Sequence, residues 1–554
     1  MTEQFDFVVV GGGSGGCVVA GRLTEDAATT VCLLEAGGRG DGALVNVPTG
    51  ALAMVPTRIN NWAFETVPQP GLGGRRGYQP RGKALGGSSA INAMVYARGH
   101  PSDYDHWASL GNPGWSWADV LPYFVRSERN ERFDDAWHGR DGPLWVSDLR
   151  TGSPWHARFL EAARQCGLPM TDDFNGARQE GAGIYQVTQK DGERWSAARA
   201  YLLPHVGRRA NLSVRTHAQA LRIVFEGTRA VGVEVRQAGR TRIVRARREV
   251  VLAAGALQTP QLLMLSGVGE RDDLERLGIA VVRHMPGVGR NLQDHPDFVF
   301  GYRARGLDTL GVSMRGGAHL LREARRFRAE RRGALTSNFA EAGAFLRTRP
   351  DLRVPDIQLH FVVALVEDHA RRPRLGHGVS CHVCLLRPRS RGTVRLRSRA
   401  PDEAPLIDPA FLQDPLDLDD LVAGFKLTRR VMQAPALAEW ITRDVFTAHV
   451  RTDDEIREVL RRRTDTVYHP VGTCRMGADG QAVVDAQLRV HGVQGLRVVD
   501  ASVMPTLIGG NTNAPTIMIA ERAVDLMRAA SRRPAQASDA SAEPARAAPA
   551  SAST

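Results

Sequence analysis

The sequence lacks any uninterrupted apolar run approaching the roughly 20 residues that a membrane-spanning helix requires. Its first residues have neither a basic start nor an apolar core, which argues against a secretory signal. The 6 cysteines among 554 residues are too few and too scattered for a disulfide scaffold. These absences favour a reducing, cytoplasmic setting.

The charge balance is basic, with a formal net charge of +12 at pH 7. Nucleic acid is not an expected partner, because arginines and acids are interleaved and neither zinc-finger spacings nor an aromatic RNA-binding signature occurs. The segment 315–332, however, concentrates arginines. As a helix it would place on one face Leu320, Leu321, Ala324 and Phe327. The segment is compatible with peripheral contact to an anionic membrane or, as we favour, with a solvated face.

Two kinds of secondary-structure pattern alternate along the chain. The opening and the stretches around 214–270 and 483–528 have the pattern of β-then-α units, whereas about 335–410 has short alternating runs typical of a half-buried antiparallel sheet. We therefore predict an α/β fold, with a Rossmann-like nucleotide domain from discontinuous segments and a second domain that carries an antiparallel sheet. The predicted segments of the nucleotide domain are 1–155, 214–315 and 465–530, and those of the second domain are 156–213 and 316–464. The Ala-, Ser- and Pro-rich tail, 531–554, is predicted to be disordered.

A dinucleotide-binding fingerprint lies at the N-terminus. A short apolar strand ends in GGGSGG (11–16), and a helical stretch follows. Gly11, Gly13 and Gly16 form GxGxxG, in which the glycines allow a tight turn, close approach of a pyrophosphate and close helix–strand packing. A second strand ends at Glu35, where a ribose-binding acid is expected. The predicted contacts from this region are Gly11, Gly13, Ser14, Gly15, Gly16, Glu35 and Ala36.

The same glycines also fit a different motif. GGSGG (12–16) matches the GxSxG elbow of α/β-hydrolases, with Ser14 as nucleophile. That elbow normally follows several strands, whereas this one follows the first, and a hydrolase would leave Glu35 unexplained. Dinucleotide binding is therefore the favoured interpretation.

Two longer segments carry a family resemblance. GKALGGSSAIN (82–92) and GALQTPQLLMLSGVG (255–269) resemble the signature stretches of the glucose–methanol–choline (GMC) family of FAD oxidoreductases, and the similarity runs from Phe5 to about Met527. It implies an FAD-binding domain and a substrate-binding domain. Ile91 occupies the position at which some members attach FAD through a histidine, so noncovalent FAD is expected.

The resemblance also implies which residues contact FAD. One set lies around the signature loop and would face the flavin: Leu85, Gly87, Ser88, Asn92, Ala93, Met94 and Val95. Asp500 and Ala501 should lie near the ribityl–pyrophosphate part, and the backbone at Ala220 near the adenine. The remaining candidates are Trp62, Tyr468, Asn511, Thr512 and Asn513. From the residues alone, Asp500 could equally be a cap at a strand end, and Trp62 could simply pack.

The strongest catalytic candidate is a histidine. His469, in VYHPVGTCRMG (467–477), lies where the family has its active-site loop, and Asn511 matches a second position that is His or Asn. Hydride leaves more easily from an alkoxide than from an alcohol, and histidine is a suitable base at neutral pH. We therefore predict His469 as general base, Asn511 as a hydrogen-bonding partner of the same oxygen, and flavin N5 as hydride acceptor. The helix 515–527, capped by Asn513, could direct its positive end at the flavin.

Several alternatives stay open at this point. The favoured activity is oxidation of a primary alcohol to an aldehyde, with a quinone-type or other non-oxygen acceptor. Choline and medium-chain alcohols are both possible substrates, and an oxidase, an NAD-linked enzyme or a lyase are competing activities. By resemblance His360 and Asp297 are candidate substrate contacts. No metal is expected, because Cys381 and His382 of CHVC (381–384) would face opposite ways on a strand.

Overall fold

The computed structural model describes residues 3–311 and 313–532, except the side chains of 314–318, 320 and 532. Two seven-stranded sheets organise this part of the chain. Mixed α/β architecture with an antiparallel second sheet confirms the predicted fold class. Within those residues, no helix has both the length and the apolar character needed to cross a bilayer.

The first sheet is assembled from distant segments. In spatial order its strands are Leu212–Arg215, Val31–Leu34, Gln4–Val10, Arg240–Leu252, Arg229–Gln237 and Ala218–Glu226, and Leu496–Val498 also pairs with Arg240–Leu252. Gln4–Val10 runs parallel to both of its neighbours, as β-α units require. The parallel strands are apolar where both of their faces are covered: Val8, Val9 and Leu33 are fully buried.

The second sheet is antiparallel. Its order is Ile441–Asp444, Pro296–Ala304, Gly378–Leu385, Ile357–Val362, Ala340–Leu346 and Gly181–Ile184, with Asp465–Thr466 also paired to Pro296–Ala304. The prediction that this sheet is half-buried was wrong. Gly378–Leu385 is buried on both sides, because Cys381 packs in one apolar cluster with Phe425 while Cys384 packs in another with Tyr185.

The α-helices surround these sheets. Their bounds are α1 Ser14–Leu23, α2 Ala43–Asn46, α3 Ala51–Met54, α4 Pro101–Ser109, α5 Trp117–Ser127, α6 Trp155–Gln165, α7 Gly255–Leu265, α8 Arg271–Arg276, α9 Met314–Glu330, α10 Pro415–Met432, α11 Pro435–Ala438, α12 Asp453–Arg463 and α13 Asn513–Arg532. Short two-stranded pairs complete the fold: Phe64–Glu65 with Tyr78–Gln79, Glu128–Asn130 with Leu144–Val146, Gln189–Lys190 with Glu193–Arg194, Val268–Gly269 with Arg283–His284, and Thr393–Arg395 with Leu406–Asp408.

Two helix predictions, for α13 and for α9, can be compared with these bounds. Helix α7 ends before Gly267, whose φ of +84° closes it. Helix α13 begins at Asn513 and continues to Arg532, so the first two residues of the predicted tail are helical; 533–554 lie outside the described residues.

The predicted apolar face of α9 was partly wrong. Leu321 is 67% exposed, and Ala324 is exposed as well, whereas Phe327 is buried. Glu323 is buried with Phe327, because its carboxylate accepts a hydrogen bond from the Ala334 N–H at 2.7 Å. The side chain of Leu320 lies outside the described residues. Tertiary contacts, rather than the apolar stripe, therefore orient this helix.

Candidate active site

One large cavity lies where the two sheets meet. It takes in the glycine-rich turn after Gln4–Val10, the loop at 87–95 and the start of α13, and it reaches strands of the second sheet. The predicted cofactor contacts that line it are Gly11, Gly13, Ser14, Gly15, Glu35, Ala36, Trp62, Gly87, Ser88, Asn92, Ala93, Met94, Val95, Ala220, Tyr468, Asp500, Ala501, Asn511, Thr512 and Asn513. The chain thus brings together residues separated by nearly its whole length.

Gly16 and Leu85 do not line the cavity. A side chain at Gly16 would place its Cβ 1.9 Å from the Gly11 carbonyl oxygen, so this glycine permits close packing of α1 on the first strand. Leu85 is buried, and its methyl group lies 2.8 Å from where a Cβ at Gly12 would stand. Both residues therefore pack against the glycine-rich turn without lining the cavity.

The N-terminus of α1 is free to bind an anion. Its N-cap is Gly13, and no side chain caps its first amides. The Ser14 hydroxyl donates to Asn513 Oδ1 at 2.7 Å, which ties the start of α1 to the start of α13. Two helix N-termini therefore converge on the cavity, and each favours negative charge there.

Glu35 supports the fingerprint turn directly. One carboxylate oxygen accepts from the Gly12 N–H at 2.8 Å, and the other accepts from the Gly37 N–H at 2.7 Å. Complete burial raises the pKa of Glu35 to about 7, against the lowering effect of these hydrogen bonds. Glu35 lines the cavity while it fixes the backbone around it.

Asp500 caps a turn and also lines the cavity. Its carboxylate accepts from the Gly255 N–H at 2.9 Å and from Ser502 N–H at 2.8 Å, so it caps the turn Ala501–Val503 and anchors the start of α7. It also lines the cavity. Burial is the main reason that its pKa is raised.

The cavity wall formed by the loop at 87–95 is held in place by Arg194, a residue that no sequence motif indicated. Arg194 is fully buried, and its guanidinium donates to the Ser89 carbonyl at 3.2 Å and to the Asn92 carbonyl at 2.7 Å. It thereby holds the loop that carries Asn92 to Val95 in place. Arg194 is more than 100 positions from that loop in the sequence and belongs to no motif, so nothing in the sequence indicated this contact.

His469 is buried at the junction with the second sheet. Its Nδ1 lies 3.0 Å from Nδ1 of His295, whose Nε2 lies 3.1 Å from the carbonyl oxygens of Leu386 and Ile508. Carbonyls only accept, so His295 carries its proton on Nε2 and accepts at Nδ1. Burial lowers the pKa of His295 to about 3, which keeps it neutral.

This contact fixes the protonation pattern of His469. Because His295 accepts, His469 must donate from Nδ1, and its Nε2 is left with a lone pair. Asn511 Nδ2 lies 3.3 Å from that Nε2, and both side chains line the cavity. A basic nitrogen and an amide donor therefore stand side by side at the cavity wall.

A second chain of hydrogen bonds orients Asn511. Gln358 Nε2 donates to Asn511 Oδ1 and to the Tyr185 hydroxyl, each at 3.1 Å. The Tyr185 hydroxyl donates to the Leu359 carbonyl at 2.7 Å, so it can only accept from Gln358. With its oxygen engaged, Asn511 presents its NH₂ group to His469. Both chains of bonds thus agree on which nitrogen of His469 is the base.

Replacing Gln358 tests this orientation. For the FAD-dependent alcohol oxidation that the family resemblance implies, we expect Gln358→Leu to keep FAD bound but to slow flavin reduction about tenfold to hundredfold, because a misaligned amide shifts the reacting oxygen. Tyr185→Phe, which retains the ring, should have a smaller effect. Rapid-mixing absorbance at 450 nm measures the rate. A normal rate in Gln358→Leu would show that Asn511 does not depend on this bond.

The substrate predictions gave mixed results. His360 lines the cavity, but Asp297 does not. Asp297 is buried, and its Oδ2 lies 2.6 Å from Nδ1 of His382, which does line the cavity. His360 and His382 are paired residues, and Asp297 is paired with Cys384 on the same face of the sheet, whereas Cys381 faces the other way. The contact with His382, rather than strand alternation, therefore keeps Asp297 out of the cavity lining. In the described chain, no cluster of three or more His, Cys, Asp or Glu side chains is suited to a metal ion.

Comparisons with known proteins agree with the geometry. Family models described as GMC oxidoreductase match residues 5–297 and 388–520. An alcohol dehydrogenase [acceptor] of Pseudomonas putida is 45% identical over 95% of this chain and 96% of its own, and the mitochondrial choline dehydrogenase of Homo sapiens is 43% identical over 95% and 90%. Among solved structures, pyridoxine 4-oxidase from Mesorbium loti has a TM-score of 0.86 at 33% identity, covering 95% of this chain and 99% of its own. A formate oxidase of Aspergillus oryzae, solved to study FAD modification, has a TM-score of 0.88 at 26% identity, covering 96% and 99%.

Proposed function

Because this chain belongs to the GMC oxidoreductase family and binds FAD, we propose that it oxidises a primary alcohol to an aldehyde, with His469 as general base. The observation that carries the proposal is the unprotonated Nε2 of His469, held beside the Asn511 amide in the cavity wall. When bound, FAD supplies the hydride acceptor, N5 of the flavin ring.

The cavity fits the cofactor. Uncapped amides at the start of α1 suit a pyrophosphate. A Cβ at Gly87 would stand 2.6 Å from the Gly13 Cα, so only a glycine lets the two walls approach there. Ile91 lines the cavity and has no nucleophilic atom, consistent with noncovalent FAD.

His469 and Asn511, where the cavity meets the second sheet, are suited to activating an alcohol for oxidation. The substrate hydroxyl would replace the Asn511 amide as the donor to the single lone pair of His469 Nε2, and proton removal there makes the carbon a better hydride donor. The displaced Asn511 amide would then donate to the same oxygen. Helix α13 begins next to these groups at Asn513, and its positive end favours negative charge on the flavin by about 0.3–1 kcal/mol.

The pH dependence of flavin reduction follows from the burial of His469. Burial lowers the pKa of His469 well below its ordinary value of 6.5, and His295, His360 and Arg81 add to the effect. A base with a lowered pKa stays unprotonated as pH falls. We therefore expect the anaerobic reduction rate at saturating alcohol to stay level from pH 8 to pH 6.5 and to decline only at more acid pH. A rate already halved at pH 6.5 would indicate an ordinary histidine.

The electron acceptor is the second part of the proposal. The name of the Pseudomonas putida relative specifies an acceptor, which supports a quinone-type or other non-oxygen acceptor here. Steady-state assays with a soluble quinone should give turnover without matching peroxide. Stoichiometric peroxide under air would favour an oxidase instead, and flavin that stays oxidised during anaerobic turnover would indicate a lyase.

A further inference from the structure

The cavity around His469 and Asn511 has mainly apolar walls. We call this region the substrate end. Its apolar lining comes from helix α3 and its C-cap, from the second sheet and from the segments that flank this sheet: Ala51, Leu52, Val55, Phe339, Ala340, Val362, Val366 and Val467. Such walls suit an aliphatic or aromatic body next to the reacting hydroxyl.

Apart from the Tyr468 hydroxyl, the ionisable groups of the substrate end are basic. They are Arg81, His360, His369, His382 and His469. The only carboxylates among the described residues that line the cavity are Glu35 and Asp500, and both belong to the turns of the first sheet. No acid in the described lining therefore reaches the place where the body of an alcohol would lie.

The carboxylates near the substrate end are already paired with basic side chains. Asp297 pairs with His382 at 2.6 Å, and Asp465 pairs with His369 at 3.4 Å. Asp294 offsets the charge of buried Arg81. Each of these carboxylates thus already has a basic partner, and none is left unpaired for a cationic substrate.

We propose, on the basis of the alcohol oxidation inferred above, that the substrate is an uncharged alcohol with an apolar body and that a quaternary ammonium alcohol such as choline is rejected. A cation would lose its hydration and meet no carboxylate in return. Aromatic faces are a weak substitute, and the face of Trp62 is already occupied by Lys83 Nζ at 4.0 Å.

Choline and 3,3-dimethylbutan-1-ol form a matched pair for the test, because they share a shape and differ in charge. We expect the apparent second-order rate constant for anaerobic flavin reduction of the FAD-loaded enzyme to be about 100-fold or more higher for the uncharged compound. A rate constant for choline equal to or above that of its isostere would overturn the proposal. If neither these two nor 1-hexanol reduces the flavin, alcohol oxidation itself fails, which is a distinguishable result.

Two further measurements sharpen the test. 4-Hydroxybutanoate should reduce the flavin more slowly than 1-pentanol; a faster reaction would contradict the uncharged character of the site. His382→Leu leaves Asp297 without its partner beside the cavity, so the choline-to-isostere ratio should rise about tenfold or more. An unchanged ratio in the folded, FAD-loaded variant would overturn the role assigned to the pair. Arg443→Leu, on an exposed strand of the same sheet, is the control and should keep the wild-type ratio.

Discussion

Replacing His469 with alanine is expected to slow flavin reduction by alcohol about 10²–10⁴-fold while FAD stays bound, because the proton acceptor for the substrate hydroxyl is lost. His469→Gln should be similarly impaired, since an amide can hold the oxygen but cannot take its proton. Rapid mixing under anaerobic conditions, followed at 450 nm, measures the reduction rate directly.

The control for this experiment is another histidine. His106 is exposed on α4, and His106→Ala should reduce its flavin at the wild-type rate. The flavin-to-protein ratio must be equal in all the variants, so that lost catalysis is not mistaken for lost cofactor. Reduction of His469→Ala at a near-normal rate would remove this histidine from the mechanism.

Gly15→Ala is expected to lose most of its FAD. The new Cβ would stand 2.1 Å from the Val499 carbonyl oxygen, which is backbone and cannot move aside cheaply. Overpacking of this kind costs about 1–3 kcal/mol. If this cost destabilises the FAD-bound state and not the free protein, FAD binds roughly tenfold to hundredfold more weakly. The flavin-to-protein absorbance ratio after gel filtration measures the loss.

Gly42→Ala is the matched control. Gly42 has an ordinary φ of −73°, and a Cβ there would meet nothing within 4 Å. It should bind FAD as the wild type does, with the same melting behaviour. If Gly15→Ala also retained its full complement of FAD, close contact of α1 with the Val499 backbone would not be needed for holding the cofactor.

Local sequence patterns predicted the cofactor half of the site. A strand, a glycine-rich turn and an acid at the right spacing specify a dinucleotide fold because these residues act on their own backbone neighbourhood. Gly11, with φ of +100°, and Glu35, bonded to Gly12 and Gly37, behave in this way. The division of the chain into the two predicted domains stays a prediction, although Pro296–Ala304 lies in the second sheet and Leu212–Arg215 in the first.

The catalytic half could not be predicted to the same depth. His295 contacts His469 across 174 positions, and Gln358 contacts Asn511 across 153. Neither partner stands in a pattern that a period or a spacing would reveal. Asp297 was expected to face the substrate, but it pairs with His382 across 85 positions and does not line the cavity. Such long-range side-chain pairs are set by the register of the second sheet, which the sequence alone does not specify.

The most direct test of the account is anaerobic reduction of the FAD-loaded enzyme by 1-hexanol and by its 1,1-dideuterated form. Proton removal by His469 coupled to hydride release predicts full loss of the 450 nm absorbance, one hexanal per flavin, and a clearly slower reaction with the deuterated alcohol. Flavin that remains oxidised with this and other uncharged primary alcohols, in protein that has bound FAD, would contradict it.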